Sequence, residues 1–268
     1  MKSLLKKTAL IIGATLLFAP PAVLSAPTQV KTMAKKDIVH MINIAGQQRM
    51  LSQRIAKDYL YIGNKVAVRK ATKQLALSIK FFKENQKIID KSINDPEIKN
   101  LLSFVDMSMS ELFSIVKKPY SFNDAQLVLD LSETMLEGSQ YVVDYLKKKV
   151  NIKGSIMVDY SGKQRMLSQR IAKYYIAYQA GIRDKNTVNQ MNASVAEFAK
   201  HHKVLMENKE NTAKINQKLA QVDKLWKVVY KFYLNIEKGG LPFIVYTSTD
   251  NITSKMDEIT KLYEKLYK

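Results

Sequence analysis

The segment 48–57 is QRMLSQRIAK, and the segment 164–173 is QRMLSQRIAK again. The offset between the two copies is 116 residues, and the same offset pairs Gly46 with Gly162 and Tyr59 with Tyr175. A self-similarity at a fixed offset is the signature of a duplicated structural unit. The chain therefore contains two copies of one unit of about 115 residues.

Each copy has the apolar spacing of α-helices rather than the alternation of strands. In the first copy Ile44, Leu51 and Ile55 follow the helical spacing, and Asp95-Pro96 is a helix start, because aspartate caps helices and proline suits the first helical position. Glycine (9 residues) and proline (6 residues) are too scarce for an all-β protein. We predict an all-α fold of two tandem four-helix bundle units.

Glycine and proline also indicate where the helices end. We expect boundaries at Gly63, Pro119, Gly181 and Pro242. Either Ser121 or Asn123 can cap the fourth helix of the first unit. The fourth helix of the second unit is expected to be capped by Ser248 or Thr249.

The N-terminal segment has the pattern of a secretory signal peptide. Three lysines within the first seven residues precede an apolar run that ends at Ala19 and is too short to cross a bilayer comfortably. We expect cleavage after Ser25 or Ala26, with an uncleaved anchor as the alternative. The predicted organisation is a signal peptide over 1–25, a first unit over 26–150 and a second unit over 151–268. The mature chain is expected to be periplasmic or otherwise secreted.

The composition restricts the chemistry that the chain can perform. Lysine and arginine number 43 against 24 acidic residues, a net charge of +19 that favours anionic partners. The expected location outside the cytoplasm argues against nucleic acid as that partner. Cysteine is absent, and two of the three histidines, His201 and His202, are adjacent and cannot form an i,i+4 metal pair. We therefore expect no metal, no cofactor and no enzymatic activity.

The repeated segment concentrates cations on one side of a helix. Gly46, Arg49 and Gln53 share one stripe, and Arg54 and Lys57 belong to the adjacent one. Glycine lets another helix approach closely, and an arginine desolvated at such a contact needs an anion. The guanidinium fork suits nitrate, nitrite or a carboxylate. The candidate ligand-binding residues of both copies are Arg49, Arg165, Arg54, Arg170, Gly46, Gly162, Lys57, Lys173, Gln53 and Gln169. Alternatively, these arginines pair internally with acids of the fourth helices, Glu137 and Glu258.

The run 43–54, NIAGQQRMLSQR, resembles the first periplasmic helix of the PilJ-type sensory domain, which heads the type IV pilus methyl-accepting chemotaxis transducers. It is also similar to the A-G-x-x-R-M-x-S-x-R pattern in the P-box of the NarX and NarQ nitrate sensors. The resemblance implies a periplasmic four-helix bundle. In the nitrate sensors an anion lies between the paired first helices of a dimer, held by the arginine that matches Arg49 and Arg165 here.

The chain departs from the nitrate-sensor pattern at three positions, one of which is Ser161, where the first copy has Ala45. Gln48 replaces a leucine, which brings the chain closer to the pilus-transducer type. Asp159 replaces the Asn43 of the first copy, and its negative charge weakens the case for anion binding in the second copy.

Two functions from different classes remain open at the level of the sequence. The first is a tandem PilJ-like sensory or binding protein for a small anion, which acts with a membrane receptor or sensor kinase. The alternative is a cationic envelope-interaction protein with no small ligand. The sensory function predicts a tight turn between the units. This turn would make the first helices of the two units parallel, so that Arg49 and Arg165 share one anion in a monomer. A rod in which the second unit continues the first would allow such pairing only in a homodimer.

Overall fold

The computed structural model describes residues 34–149 and 153–267, and within these residues it is all helical. The predicted signal peptide and the joint residues 150–152 lie outside the described residues. The helices are α1 (Lys35–Gly63), α2 (Val68–Ser92), α3 (Pro96–Ile115), α4 (Phe122–Lys149), α5 (Lys153–Gln179), α6 (Lys185–Met206), α7 (Ala213–Leu234), a 3-10 turn (Ile236–Lys238) and α8 (Pro242–Leu266). The predicted all-α class is confirmed.

Most of the predicted helix boundaries agree with the structure. The carboxylate of Asp95 accepts a hydrogen bond of 3.0 Å from the backbone N–H of Glu97, and Pro96 opens α3. The hydroxyl of Ser121 accepts a bond of 3.1 Å from the backbone N–H of Asp124 and caps α4. Gly181, with φ +100°, follows the end of α5 in the left-handed region that favours glycine.

The expected start of α8 was wrong. We expected Ser248 or Thr249 as its cap, but α8 begins at Pro242, and both hydroxyl residues lie buried inside the helix. Proline has the φ of a helix and lacks only a backbone N–H that the first turn leaves without an intrahelical partner. The helix therefore begins at the proline itself rather than after it.

The first helices of the two copies form the centre of the molecule. In the first copy α1 packs against α2 and α4, and in the second α5 packs against α6 and α8. The two helices also pack against each other, and one apolar core includes residues of both copies.

The register against α8 gives the direction of these two helices. His40, near the start of α1, contacts Glu264, whereas Tyr61, near its end, contacts Pro242, so α1 is antiparallel to α8. The contacts of α5 with α8 run in the same antiparallel sense. The two first helices are therefore parallel and side by side, not end to end. None of the described helices has an apolar stretch long enough to cross a membrane.

Candidate functional site

The contact between α1 and α5 is closest at the repeated glycines. A Cβ atom on Gly46 would lie 3.3 Å from Nη2 of Arg49, 3.3 Å from Nη2 of Arg165 and 4.0 Å from the Cα of Gly162. A Cβ atom on Gly162 would meet the same two guanidinium groups at 3.3 and 3.4 Å. The glycines therefore bring both arginines to one point on the axis that relates the two copies, and they leave no room there for another side chain.

Arg49 is fully buried and has partners within the chain. Its Nη2 atom forms an ion pair of 2.8 Å with Oδ1 of Asp159, which belongs to α5 of the other copy. Its Nη1 atom donates a hydrogen bond of 2.6 Å to Gln140 of α4. The Asp159 carboxylate thus supplies the negative charge that a desolvated arginine requires.

Arg165 is also fully buried, but its carboxylate partner lies on a different helix. Its Nη1 atom donates a bond of 2.5 Å to Asp257 of α8, and its Nη2 atom donates a bond of 2.8 Å to the side chain of Asn43. Asn43 and Asp159 are repeat equivalents. The axis is therefore symmetric in geometry but not in charge.

The two carboxylates at the axis each serve a second cation. Lys147 lies 2.8 Å from Asp159, and Lys261 lies 2.6 Å from Asp257. Burial alone would raise the pKa of these two carboxyl groups, but the neighbouring cations outweigh it and lower both pKa values. Burial lowers the pKa of Arg165, and Asp257 opposes that shift. The centre of the molecule is a packed network of ion pairs.

The expectation that the arginines pair with Glu137 and Glu258 was wrong about the acids. Glu258 pairs with Lys218, and Glu137 is exposed. Adjacent residues of a helix point about 100° apart. On α8 that rotation turns Asp257 toward Arg165 and Glu258 away from it.

The repeated lysines connect the two copies. Lys57 of α1 lies 2.8 Å from Asp250 of α8, and Lys173 of α5 lies 2.5 Å from Glu133 of α4. Both ammonium groups are fully buried, and each crosses to the fourth helix of the other copy. Burial lowers the pKa of Lys173 to about 8, against the attraction of Glu133.

The repeated glutamines hold the fourth helix of their own copy. Gln53 donates a bond of 2.9 Å to the backbone carbonyl of Ser132 on α4, and Gln169 donates a bond of 2.7 Å to the hydroxyl of Thr253 on α8. Both are fully buried. In this structure they bind the scaffold, and the prediction that they bind a ligand stays untested.

The second arginines of the motif differ most between the copies. Arg170 donates to both carboxylate oxygens of Glu133, at 2.5 and 3.1 Å, and to Gln190 at 2.8 Å. Arg54 has no hydrogen-bond or ion-pair partner among the described residues, and its Nε atom is buried. Lys57 pairs with Asp250 as Lys173 pairs with Glu133, so α8 has Asp250 where α4 has Glu133.

These two arginines line equivalent clefts. The first cleft, between α1, α2 and α8, has a volume of about 470 Å³ and contains Arg54 and Ser254. The second cleft, between α4, α5 and α6, has a volume of about 340 Å³ and contains Arg170 and Glu133. Each cleft thus combines the motif helix of one copy with the fourth helix of the other.

One buried acid next to the motif has no counterpart in the other copy. Asp58 is fully buried, lies 3.4 Å from Lys57 and is replaced by Tyr174 in the second copy. Burial raises the pKa of Asp58 to about 7, although the charge of Lys57 opposes the shift. The described residues contain no cluster of three or more histidines and acids that could hold a metal ion.

Sequence reasoning missed the acids that neutralise the motif, namely Glu133, Asp250 and Asp257. Glu133 and Asp250 neutralise equivalent lysines but are 117 residues apart, whereas the decapeptide repeats at 116, so the sequence offset does not pair them.

A family model, described as the type IV pili methyl-accepting chemotaxis transducer N-terminal domain (PilJ), matches residues 35–109 and 153–239, which together exceed half of the chain. The chain belongs to this family. The two matches begin at α1 and α5, so the PilJ domain is present in two tandem copies, as predicted. The helices α4 and α8, which carry the neutralising acids, lie outside the matched residues. Comparisons with curated proteins and with solved structures give no significant match.

Proposed function

We propose that this chain is the sensory part of an extracytoplasmic signalling system, in which the two PilJ copies bind one small anion, such as nitrate, nitrite or a carboxylate, and report its presence to a membrane receptor or sensor kinase. The observation that carries the proposal is the parallel pairing of α1 and α5, which brings Arg49 and Arg165 together on one axis. The family is one of sensory domains from chemotaxis transducers.

The cations of the motif are suited to couple ligand binding to the arrangement of the two copies. Lys57 and Lys173 each pair with an acid of the opposite copy, so an added charge near them acts on both copies. A ligand shifts a conformational equilibrium only through a difference in its interactions with the two states. A ligand anion that replaces an internal carboxylate as the partner of a motif cation would supply such a difference in interactions.

Asp159 is the internal competitor of an anion at the axis. Its carboxylate already lies 2.8 Å from Arg49, and the glycine contact leaves no free volume between the two guanidinium groups. An anion reaches this point only by displacing Asp159. Replacement of Asp159 by asparagine makes the second copy equal to the first, which has Asn43, and removes the competitor.

The test is a thermal-shift panel of nitrate, nitrite, sulfate and carboxylates at constant ionic strength, followed by calorimetry on the anions that respond. We expect saturable stabilisation by one anion, at one site per chain, and tighter binding in Asp159→Asn. An anion at 100 times its dissociation constant adds about 2.7 kcal/mol of stability. We expect Arg49→Ala and Arg165→Ala each to abolish the response.

Two results would contradict the shared site. Unchanged nitrate binding in either arginine variant, or nitrate binding at two independent sites per chain, would exclude it. If wild type and Asp159→Asn respond only to ionic strength, the chain is instead a cationic envelope-interaction protein without a small ligand.

The location is tested separately. We expect a mature N-terminus near Ala26 or Pro27 in the extracytoplasmic fraction, because lysines precede a short apolar run at the start of the chain. A soluble cytosolic chain that keeps Met1 would contradict export.

A further inference from the structure

We infer that the first cleft, between α1, α2 and α8, is a binding site for a small monocarboxylate with an apolar body, and that Arg54 holds its carboxylate group. The inference goes beyond the proposed function, because it assigns a second anion site and names its ligand class. This position is separate from the axis between Arg49 and Arg165.

The strongest observation is the contrast with the second cleft of the same chain. There the carboxylate of Glu133 occupies the guanidinium fork of Arg170 through two of its nitrogens. In the first cleft Asp250 takes the place of Glu133. It forms no hydrogen bond with Arg54, whose buried Nε donor has no acceptor. A buried donor without an acceptor is costly. A ligand carboxylate would meet Arg54 as Glu133 meets Arg170.

The acids that line the first cleft are already engaged by other cations. Asp250 pairs with Lys57 at 2.8 Å and with Lys70 at 3.3 Å. Asp257 pairs with two cations as well, Arg165 and Lys261. The side chain of Asp250 is one methylene shorter than that of Glu133. It meets the buried lysine and forms no hydrogen bond with Arg54, although the charge of Arg54 helps to lower the pKa of Asp250. Arg54 is therefore left for an external partner.

The charges around the cleft favour a single negative charge. A smaller cavity of about 210 Å³ shares Arg54 with the first cleft and adds Lys70 and Lys73. These cations attract an anion, whereas Asp250 and Asp257 on the opposite wall repel a doubly charged one. A monocarboxylate satisfies both conditions better than sulfate or phosphate does.

The size and the lining indicate that the ligand has an apolar part. A volume of about 470 Å³ lies within the range of small-molecule pockets and exceeds the need of an inorganic anion. Met50, Leu51 and Phe81 line the cleft, and Phe81 has 48% of its surface exposed. An alkyl or aromatic body bound there removes the exposed ring from water.

The second cleft is unsuited to the same ligand. Its lining includes Glu133, Glu137, Asp144 and Glu197, and its arginine is already paired. The site is therefore expected once per chain, in the first cleft only.

The test is calorimetric titration of the purified chain with hexanoate and benzoate at constant ionic strength. Hexanamide and benzamide serve as neutral analogues, and nitrate serves as the inorganic anion. We expect one carboxylate per chain and no binding of the amides. Arg54→Gln removes the fork, and Ser254→Glu adds a carboxylate to the cleft that Arg54 lines. Each should weaken carboxylate binding at least about tenfold, a loss of about 1.4 kcal/mol or more.

A matched control separates the site from the overall charge. Lys203→Gln removes one positive charge from a side chain that is 75% exposed, and it should leave binding unchanged. Both cleft substitutions replace side chains that are at least partly exposed, so folded variants are expected, and unchanged circular dichroism would verify this.

The outcomes distinguish this inference from the proposed function. Carboxylate binding that survives Arg54→Gln, or no carboxylate binding to the wild type, would overturn the inference. If nitrate still binds in Arg54→Gln and is lost in Arg49→Ala, the proposed function remains and only the cleft is excluded. If no anion binds at all, both are wrong.

Discussion

The two copies contain the same decapeptide in the same helical setting, yet they neutralise its cations differently. In the second copy one acid, Glu133, serves both Arg170 and Lys173. In the first copy the corresponding acid, Asp250, pairs with Lys57 but forms no hydrogen bond or ion pair with Arg54. The aspartate side chain is one methylene shorter than the glutamate side chain, so it has a shorter reach toward the second cation. The comparison teaches that a duplicated motif can keep its scaffold role in both copies while only one copy has a cation without an internal partner.

The largest expected effect concerns the contact between α1 and α5, to which both copies contribute the same glycine. We expect Gly46→Leu and Gly162→Leu each to reduce the free energy of unfolding by about 3 kcal/mol or more, because a leucine would overpack the contact of α1 with α5. Urea unfolding measures the loss. An unchanged free energy of unfolding in either leucine variant would show that the helices do not meet at these glycines.

The next effect concerns the acid that neutralises two cations at once. Glu133→Gln leaves the buried Lys173 and Arg170 without their carboxylate, and we expect a loss of about 3 kcal/mol at pH 7. Burial would raise the pKa of Glu133, but these two cations hold it at about 2, below the ordinary value of 4.5. The contribution of Glu133 is therefore complete above about pH 4.5 and is lost as the pH falls toward about 2.

The control for this variant is Glu137→Gln, an exposed position one turn further along α4. Its effect should stay within about 0.5 kcal/mol. If Glu133→Gln loses the same stability at pH 2.5 as at pH 7, the ion pairs are not its cause.

A third effect has the opposite sign and is confined to the first copy. Burial raises the pKa of Asp58 to about 7 from 3.8, so its ionisation costs stability as the pH rises from about 4 through 7. We expect Asp58→Asn to be more stable than wild type above pH 7, with a difference that grows by about 1.4 kcal/mol for each pH unit between about 4 and 7.

Thermal unfolding between pH 4 and 8 measures this difference, which should vanish near pH 4. The matched control is Asp37→Asn, because Asp37 is exposed in the first turn of α1. A wild-type chain whose stability rises from pH 4 to 8 relative to Asp58→Asn would contradict the raised pKa.

The smallest expected effect is the difference in stability lost when the second arginine of each motif, Arg54 or Arg170, is replaced. Arg170→Gln should cost about 1 to 2 kcal/mol, because it removes charged hydrogen bonds to Glu133. Arg54→Gln should stay within about 0.5 kcal/mol, because no described residue pairs with Arg54. Equal losses in chemical denaturation would show that Arg54 has an internal partner after all.

The sequence by itself determined the duplication, the helical class and most helix boundaries. These features depend on local chemistry: the apolar spacing of α1, the cap at Asp95, and the glycines that end helices or let them touch. The repeat also identified every cation of the motif, because those residues are identical in both copies.

The tertiary structure alone decided which acid meets which cation. The partners of the motif lie on helices far away in the sequence, and two of the strongest pairs, Lys57 with Asp250 and Lys173 with Glu133, cross between the copies. Whether two such side chains meet depends on the rotation of each helix about its axis and on the register between helices. A change of one residue rotates a side chain by about 100°, and a change of four moves it about one turn along the helix. The pairing of α1 with α5 set both quantities, and it left Arg54 as the cation of the motif without an internal partner among the described residues.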